Sequence, residues 1–294
     1  MILSSGLFLA QNTIRVIGHR GSRGTMPENS ISGFKKAIED GADGIEWDVV
    51  VNGEGNLVIS HEPYFHHDFC LAPSGKSIAN EKLYNIYKMN QDEIEAFDCG
   101  SKPHPQFPEQ QKKITRKPLL KDAVTELRSI IRGKLILFEI KSEASEYGIS
   151  QPPPDDFADI ILKAHAVYQF PSVVYMSFDK NILEALHKKA PKLRLAYLTY
   201  LPSKSIKSHL NELSFTPFAL GMYHKTINKR KLGQLRGKNI SIYAWTVNTA
   251  IDAHKMMDLG IDAIITDYPK SIIRARGTYS DRPKKYRTTG TPSF

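Results

Sequence analysis

The sequence predicts an α/β fold, a (β/α)8 TIM barrel, and two observations predict it. Short β-rich runs alternate with helical patterns along most of the chain. Repeated βα units imply a parallel sheet, and this many imply closure. Most of the strand candidates are also continuous apolar runs, which is how strands covered on both faces read. At 294 residues the chain is long enough to form one such barrel as a single domain.

The first strand candidate is Ile14–Gly18. After it, Ile31, Phe34, Ala37 and Ile38 share one helical face, with Asn29 or Ser30 placed to cap the start and Gly41 to end it. Gly44–Val51 and Leu57–His61 follow as strands, too close together for a crossover helix, so the second unit is irregular. Lys134–Lys141, Ser172–Phe178, Leu193–Leu198, Phe218–Met222, Ile240–Thr246 and Ala263–Thr266 complete the series. Nine candidates for eight barrel positions make at least one accessory. Helical periodicity recurs at Leu119–Arg132, Asp155–Tyr168, Asn181–Lys189 and Ala250–Leu259. From about residue 62 to 117 the rhythm breaks into polar sequence punctuated by Pro63, Pro73, Pro103, Pro105 and Pro108. This reads as an insertion after the third strand, where barrel loops carry function. The domain then spans 13–276, with a basic tail at 277–294.

A net charge of +9 favours anionic partners. Part of that excess lies in the tail, and no basic stripe interleaved with aromatics marks a nucleic-acid surface. No apolar run is long enough for stable membrane insertion. Oligomeric state leaves no mark on the sequence. Residues 1–12 resemble the apolar core and small-residue end of a secretory signal segment without its basic start. That points to a periplasmic or secreted protein, an oxidising setting in which Cys70 could pair with Cys99.

Polar residues gather at the ends of the early strands, where a barrel keeps its active site. His19-Arg20 follows the first strand between Gly18 and Gly21, and glycines there let backbone approach a ligand closely. Taken singly, His19 could be a satisfied structural histidine, and Glu28, Asn29 and Ser30 could serve only to cap a helix. Glu46 and Asp48, at i and i+2 of the second strand, point to one face. Two anions side by side in a barrel interior need a compensating cation or proton, and a hard divalent ion with oxygen ligands supplies it. His61 ends the third strand as His19 ends the first, giving a possible acid and base. Glu139 completes a three-carboxylate set on the fourth strand, with Lys141 two residues on as a point charge for phosphate oxygens. Trp245, at a late strand end, could be core or could wall a pocket.

In order, His19-Arg20-Gly21, Pro27-Glu28-Asn29, Glu46-Trp47-Asp48, His61, Glu139-Ile140-Lys141, Ser177-Phe178-Asp179, Trp245-Thr246-Val247-Asn248 and Thr266-Asp267-Tyr268-Pro269 resemble the glycerophosphodiester phosphodiesterase family. The resemblance runs from about Ile14 to Pro269. It implies a barrel of the phospholipase C-like phosphodiesterase type, one divalent ion, Ca2+ or Mg2+, and cleavage of a small glycerophosphodiester to sn-glycerol 3-phosphate and an alcohol. By the same resemblance Glu46, Asp48 and Glu139 bind the ion and His19 and His61 act as general base and acid. Arg20 and Lys141 hold phosphate, Glu28 supports the site, and Trp245 lines the glycerol pocket. The substrate's neighbouring hydroxyl attacks phosphorus to give a cyclic phosphate that water opens. Ser30 stands where the family usually has threonine, and Glu62 follows His61 where aspartate is commoner. The alternatives are a lysophospholipase D or sphingomyelinase D-like enzyme, which needs an apolar mouth, and a non-catalytic phosphoester-binding barrel, which would have lost a histidine or ligand.

Overall fold

A computed structural model describes residues 14–200, 204–235 and 237–280. The signal-segment reading of residues 1–12 and the tail beyond Ser280 lie outside the described residues. Eight parallel strands close a barrel: β1 (Arg15–Gly18), β2 (Gly44–Val51), β4 (Leu135–Ile140), β5 (Val173–Ser177), β6 (Leu195–Thr199), β7 (Ala219–Tyr223), β8 (Ser241–Trp245) and β9 (Ala263–Thr266). β1 pairs with both β9 and β2, which seals the ring.

The ninth strand, β3 (Leu57–Ile59), is the accessory one, running antiparallel to β2 with Val49 opposite Ile59. The five residues between Val51 and Leu57 permit only a hairpin. His61 therefore does not end a parallel barrel strand, as the sequence suggested. The chain doubles back, and Ser60 N–H donates to Asp48 O at 3.1 Å, bringing the His61 turn level with the β2 carboxylates.

Helices α1 (Ile31–Glu39), α3 (Leu120–Leu127), α4 (Pro154–Tyr168), α5 (Lys180–Lys189) and α8 (Ala250–Leu259) occupy the segments where periodicity placed them. Ser30 caps α1, accepting from Gly33 N–H at 2.9 Å. The short α6 (Ile206–Leu210) and α7 (Lys229–Gly233), and the longer α9 (Pro269–Ser280), were not anticipated. Five residues offer too little periodicity, and α9 interrupts its apolar positions with Arg274, Arg276 and Gly277. On β2 the alternation is clean: Ile45, Trp47 and Val49 pack outward under the helices. Trp47 meets Phe34 and Phe138 edge-on, at 5.6 and 6.0 Å between ring centroids. The barrel interior is filled by Ile17, Leu137, Met176, Leu198, Tyr243 and Ile265 among others. Glu46 and Asp48 share that inward face.

The segment after β3 is no polar loop. Beyond the helical turn α2 (Gln91–Glu95) and two short 3-10 turns, it builds a core of its own from Phe65, Phe69, Ile78, Ile86, Ile94 and Phe97. Cys70 and Cys99 are disulfide-bonded inside that core. With little regular structure, the unit depends on the cross-link, which removes loop-closure entropy from the unfolded chain. Cys70→Ser/Cys99→Ser is expected to destabilise the insertion by about 3–4 kcal/mol on the chain-entropy account. Native-state hydrogen exchange should register the loss in residues 62–117 and leave barrel amides unchanged; uniform protection in both proteins would contradict it.

Candidate active site

β2 and β4 are in register with Asp48 beside Glu139. Since Glu46 lies two residues below Asp48 on the same face, the parallel pairing alone gathers three carboxylates. One oxygen from each lies within 4.8 Å of the others, and all three residues are buried. Glu46 Oε2 accepts from Arg20 N–H at 2.8 Å, and Asp48 Oδ2 accepts from Asn29 Nδ2 at 2.8 Å. Glu46 Oε1 and Asp48 Oδ1 are buried without a hydrogen-bond partner. Buried carboxylate oxygens are ordinarily satisfied, so an unsatisfied pair facing a third carboxylate is what a cation site looks like from its ligands.

Electrostatics agree. Burial, with Asp48 and Glu139 alongside, pushes Glu46 well above the ordinary carboxylate range. Burial also raises Glu139, with Asp48 adding to the rise and Lys141 opposing it. Burial would raise Asp48 too, but the fixed charges of Arg20 and Lys141 and the Asn29 amide outweigh it and hold the group low. Lys141 Nζ lies 2.5 Å from Glu139 Oε1 and 3.8 Å from Asp48 Oδ1. Arg20 donates from Nη1 to Glu28 Oε1 at 2.8 Å, and its Nε lies 3.3 Å from Asp48 Oδ2. Both proposed phosphate-binding cations therefore border the carboxylate cluster.

The glycines flanking His19-Arg20 serve a purpose other than the one their position suggested. A Cβ on Gly21, at φ +87°, would lie 2.5 Å from the Gly33 carbonyl carbon, and one on Gly18 would lie 2.5 Å from Gly21 O. They admit the protein's own backbone at the start of α1, not a ligand. That tight turn directs Arg20 N–H at Glu46.

Both histidines carry a carboxylate on the same ring nitrogen. His19 Nδ1 is 2.7 Å from Asp267 Oδ1, and His61 Nδ1 is 2.6 Å from Glu62 Oε1. A carboxylate at Nδ1 fixes the proton there in the neutral ring and leaves Nε2 for chemistry. The Glu62 that replaces the commoner aspartate thus still reaches its histidine. Burial would raise Asp267, but His19, Arg23 and the Asn248 amide hold it far below the usual carboxylate range. Burial, reinforced by Arg20 and Lys141, pushes His61 well below an ordinary imidazole.

Trp245 stands farther out, half-buried, on the side of the barrel where Phe178 approaches Lys141. The Phe178 ring is 5.9 Å from Lys141 Nζ and 5.5 Å from the Trp245 ring. Tyr200 and Tyr223 pack on the same indole at 6.1 and 5.6 Å. The Trp245 indole N–H is buried with no partner.

Several supporting residues escaped the sequence. Asn29, read as a cap alternative, instead bonds Asp48 from a left-handed backbone position. Arg23 links two parts of the site, with contacts to Glu28 Oε2 at 3.5 Å and Asp267 Oδ1 at 3.2 Å, and lies over Phe107 of the insertion at 4.4 Å. Lys117 is buried and donates to Ser60 Oγ at 2.6 Å, beneath the His61 turn. Asp267 carried a signal, a carboxylate directly after the last strand. Arg23 and Lys117 carried none, because their partners come from distant segments.

The profile of the glycerophosphoryl diester phosphodiesterase family matches residues 19–271. Among curated relatives, a glycerophosphodiester phosphodiesterase of Caldanaerobacter subterraneus is 29% identical over 262 residues, covering 88% of this chain and 96% of the relative. A solved structure from Silicibacter pomeroyi superposes with a TM-score of 0.82 at 25% identity, covering 91% of this chain and 94% of that one. An Oleispira antarctica phosphodiesterase, solved with the product sn-glycerol-3-phosphate, shares the fold at a TM-score of 0.71 and 22% identity, covering 89% and 96%.

Proposed function

The chain belongs to the glycerophosphoryl diester phosphodiesterase family, and from that premise we propose how it cleaves its substrate, a small glycerophosphodiester. Membership makes it a phosphoric diester hydrolase. The finer reading is that Glu46, Asp48 and Glu139 hold one divalent ion and that His19 and His61 exchange the protons. The observation that carries it is the buried carboxylate triad with two unpartnered oxygens. All-oxygen ligands suit Ca2+ or Mg2+. Bound there, such an ion would neutralise phosphoryl oxygens and make a nearby hydroxyl more acidic.

The residues of the chain divide the remaining work. Arg20 and Lys141 are the fixed cations placed to receive a phosphate, and Glu28 holds the Arg20 guanidinium in place. Trp245, half-buried beside Phe178, offers an apolar face to the glycerol moiety. His61, kept neutral by its surroundings, suits the base that takes the proton from the substrate's neighbouring hydroxyl. That oxygen bonds to phosphorus as the bond to the leaving alcohol breaks. His19, oriented through Nδ1 by Asp267, protonates the departing oxygen from Nε2. The roles then reverse as water opens the cyclic phosphate to sn-glycerol 3-phosphate. This order exchanges the two histidine roles implied by the resemblance, for an electrostatic reason.

The decisive assay is hydrolysis of a glycerophosphodiester panel before and after chelation, with the metal restored. Activity should vanish on chelation and return with Ca2+ or Mg2+. Diesters lacking the neighbouring hydroxyl should turn over at least about a hundredfold more slowly, since they lose an intramolecular nucleophile. Equal turnover would replace the cyclic route with direct attack by water.

A lysophospholipase D activity draws on one observation: Phe178 is 42% and Tyr200 59% exposed beside Trp245, an aromatic rim that could pack an acyl chain. Comparing a long-chain lysolipid with glycerophosphocholine separates the two. No helix among the described residues is long and apolar enough to cross a membrane. The Cys70–Cys99 disulfide supports an oxidising compartment, periplasmic or secreted.

A further inference from the structure

We propose that the insertion carries a second metal site, formed by His66, His67 and Glu81, for a borderline divalent ion of the zinc class. A ligand atom from each residue lies within 4.8 Å of the others. His66 Nδ1 is 3.6 Å from Glu81 Oε1. That is close to the roughly 3.3 Å separating neighbouring ligands around a tetrahedral ion with bonds of about 2.0–2.1 Å. His67 Nδ1 is 2.6 Å from the same oxygen, a hydrogen bond whose proton an ion would replace.

Two further contacts suit a ligand role. His67 Nε2 lies 3.2 Å from Asp68 Oδ1. When Nδ1 binds a metal, the ring proton moves to Nε2, and a carboxylate waiting there is the usual outer partner of a metal-bound histidine. His66 Nδ1 accepts the Asp68 N–H at 3.1 Å, so it already presents a lone pair rather than a proton. The ion would compete for that lone pair, releasing an amide that water can satisfy.

The scaffold is firm. Cys70 N–H donates to His66 O at 2.9 Å, and Cys70 is fixed by its disulfide. His66 stacks on Phe69 at 5.0 Å, and Phe69 on the buried His104, also at 5.0 Å. His104 Nε2 in turn lies 3.9 Å from Glu28 Oε2. The two imidazoles are themselves stacked 15° from parallel, so one must turn for both lone pairs to meet an ion. With 58% of its side chain exposed, His67 has room to do so.

Ligand chemistry sorts the two sites. Imidazole nitrogens with one carboxylate favour zinc, copper or nickel, whereas the all-oxygen cluster of Glu46, Asp48 and Glu139 favours calcium or magnesium. The inference stands apart from the phosphodiesterase reading, because its test measures binding and not turnover.

Titrating the full chain with Zn2+ in excess Mg2+ should reveal one zinc per chain. Co2+ in its place should give the intense visible bands of a tetrahedral imidazole site, which an all-oxygen site lacks. His66→Ala/His67→Ala should weaken zinc at least about a hundredfold, and Asp68→Asn, which spares every ligand, by about tenfold. Glu81→Gln, retaining both rings and the shape of the loop, should weaken it comparably to the double variant. Glu46→Gln should leave it unchanged. The proposal fails if the wild type binds no zinc, if the histidine variants bind it as tightly as the wild type, or if Glu46→Gln abolishes it.

Discussion

Glu46→Gln is expected to lower kcat/KM by about a thousandfold or more while raising the stability of the metal-free protein at neutral pH. The activity loss follows from removing a charged ligand: about 4 kcal/mol of transition-state stabilisation corresponds to that factor. The stability gain has a separate cause. Glu46 is buried beside Asp48 and Glu139, and each neighbour opposes its ionisation. Without a cation the wild type must either keep a proton on Glu46 or confine three anions in one cavity. The glutamine keeps the shape and the acceptor for Arg20 N–H, and it carries no charge.

The pH dependence has a definite sign. A carboxyl whose folded pKa is raised binds its proton more tightly in the native state. Metal-free wild type should therefore lose stability as pH climbs from the ordinary carboxylate range through the raised Glu46 value. Saturating Ca2+ or Mg2+ should remove that slope, adding about 2.7 kcal/mol at a hundredfold excess over Kd. Glu46→Gln should lose the Glu46 part of the slope, keeping only what buried Glu139 contributes, and most of the metal response. Thermal melts of both proteins across pH, with metal and with chelator, read all of this. A variant that still gains stability from metal as the wild type does would remove Glu46 from the ligand set.

This site was legible in the sequence to the extent that single strands encode it. Glu46 and Asp48 declare a shared face through their spacing, and the continuous apolar run around them places that face in the barrel. Glu139 reads the same way. Parallel register then does what no local pattern could, setting Asp48 beside Glu139. The eight barrel strands and the longer amphipathic helices followed equally from periodicity, because buried parallel strands have few disguises; the antiparallel direction of β3 and the helices α6, α7 and α9 did not. What failed to show depends on distant pairing. The sequence put His61 in the site, but not the antiparallel return of β3 beside β2 that carries it there. Arg23 matters through Asp267, 244 positions away in the chain. The insertion read as polar because its apolar residues are too irregularly spaced for either period, although Phe65 and Phe97 stack at 3.8 Å once folded.

The assignment of the two histidines leads to the other large effect. His61→Ala and His19→Ala should each lower kcat by about 10²–10⁴ on a natural diester, the usual range for a lost acid or base. They should part company when the leaving group changes. An alcohol needs a proton to depart, whereas a nitrophenolate leaves without one. On a nitrophenyl diester of glycerol phosphate, His19→Ala should recover most of its first-step rate, read as nitrophenolate release, because that step no longer needs its acid, while opening of the cyclic phosphate stays slow. His61→Ala should stay slow, because the attacking hydroxyl still lacks its base. Asp267→Asn should resemble a weaker His19→Ala, since it leaves the ring in place and removes the carboxylate that orients it through Nδ1. Wild-type kcat/KM should also hold its acidic limb below the ordinary histidine range, because a base with a depressed pKa stays unprotonated at lower pH. Rescue of His61→Ala in place of His19→Ala would reverse the two roles. Rescue of neither would mean that proton transfer to the leaving group is not what limits the variants, and the acid–base division would have to be sought elsewhere in the Asp267–His19–Glu46–His61 cluster.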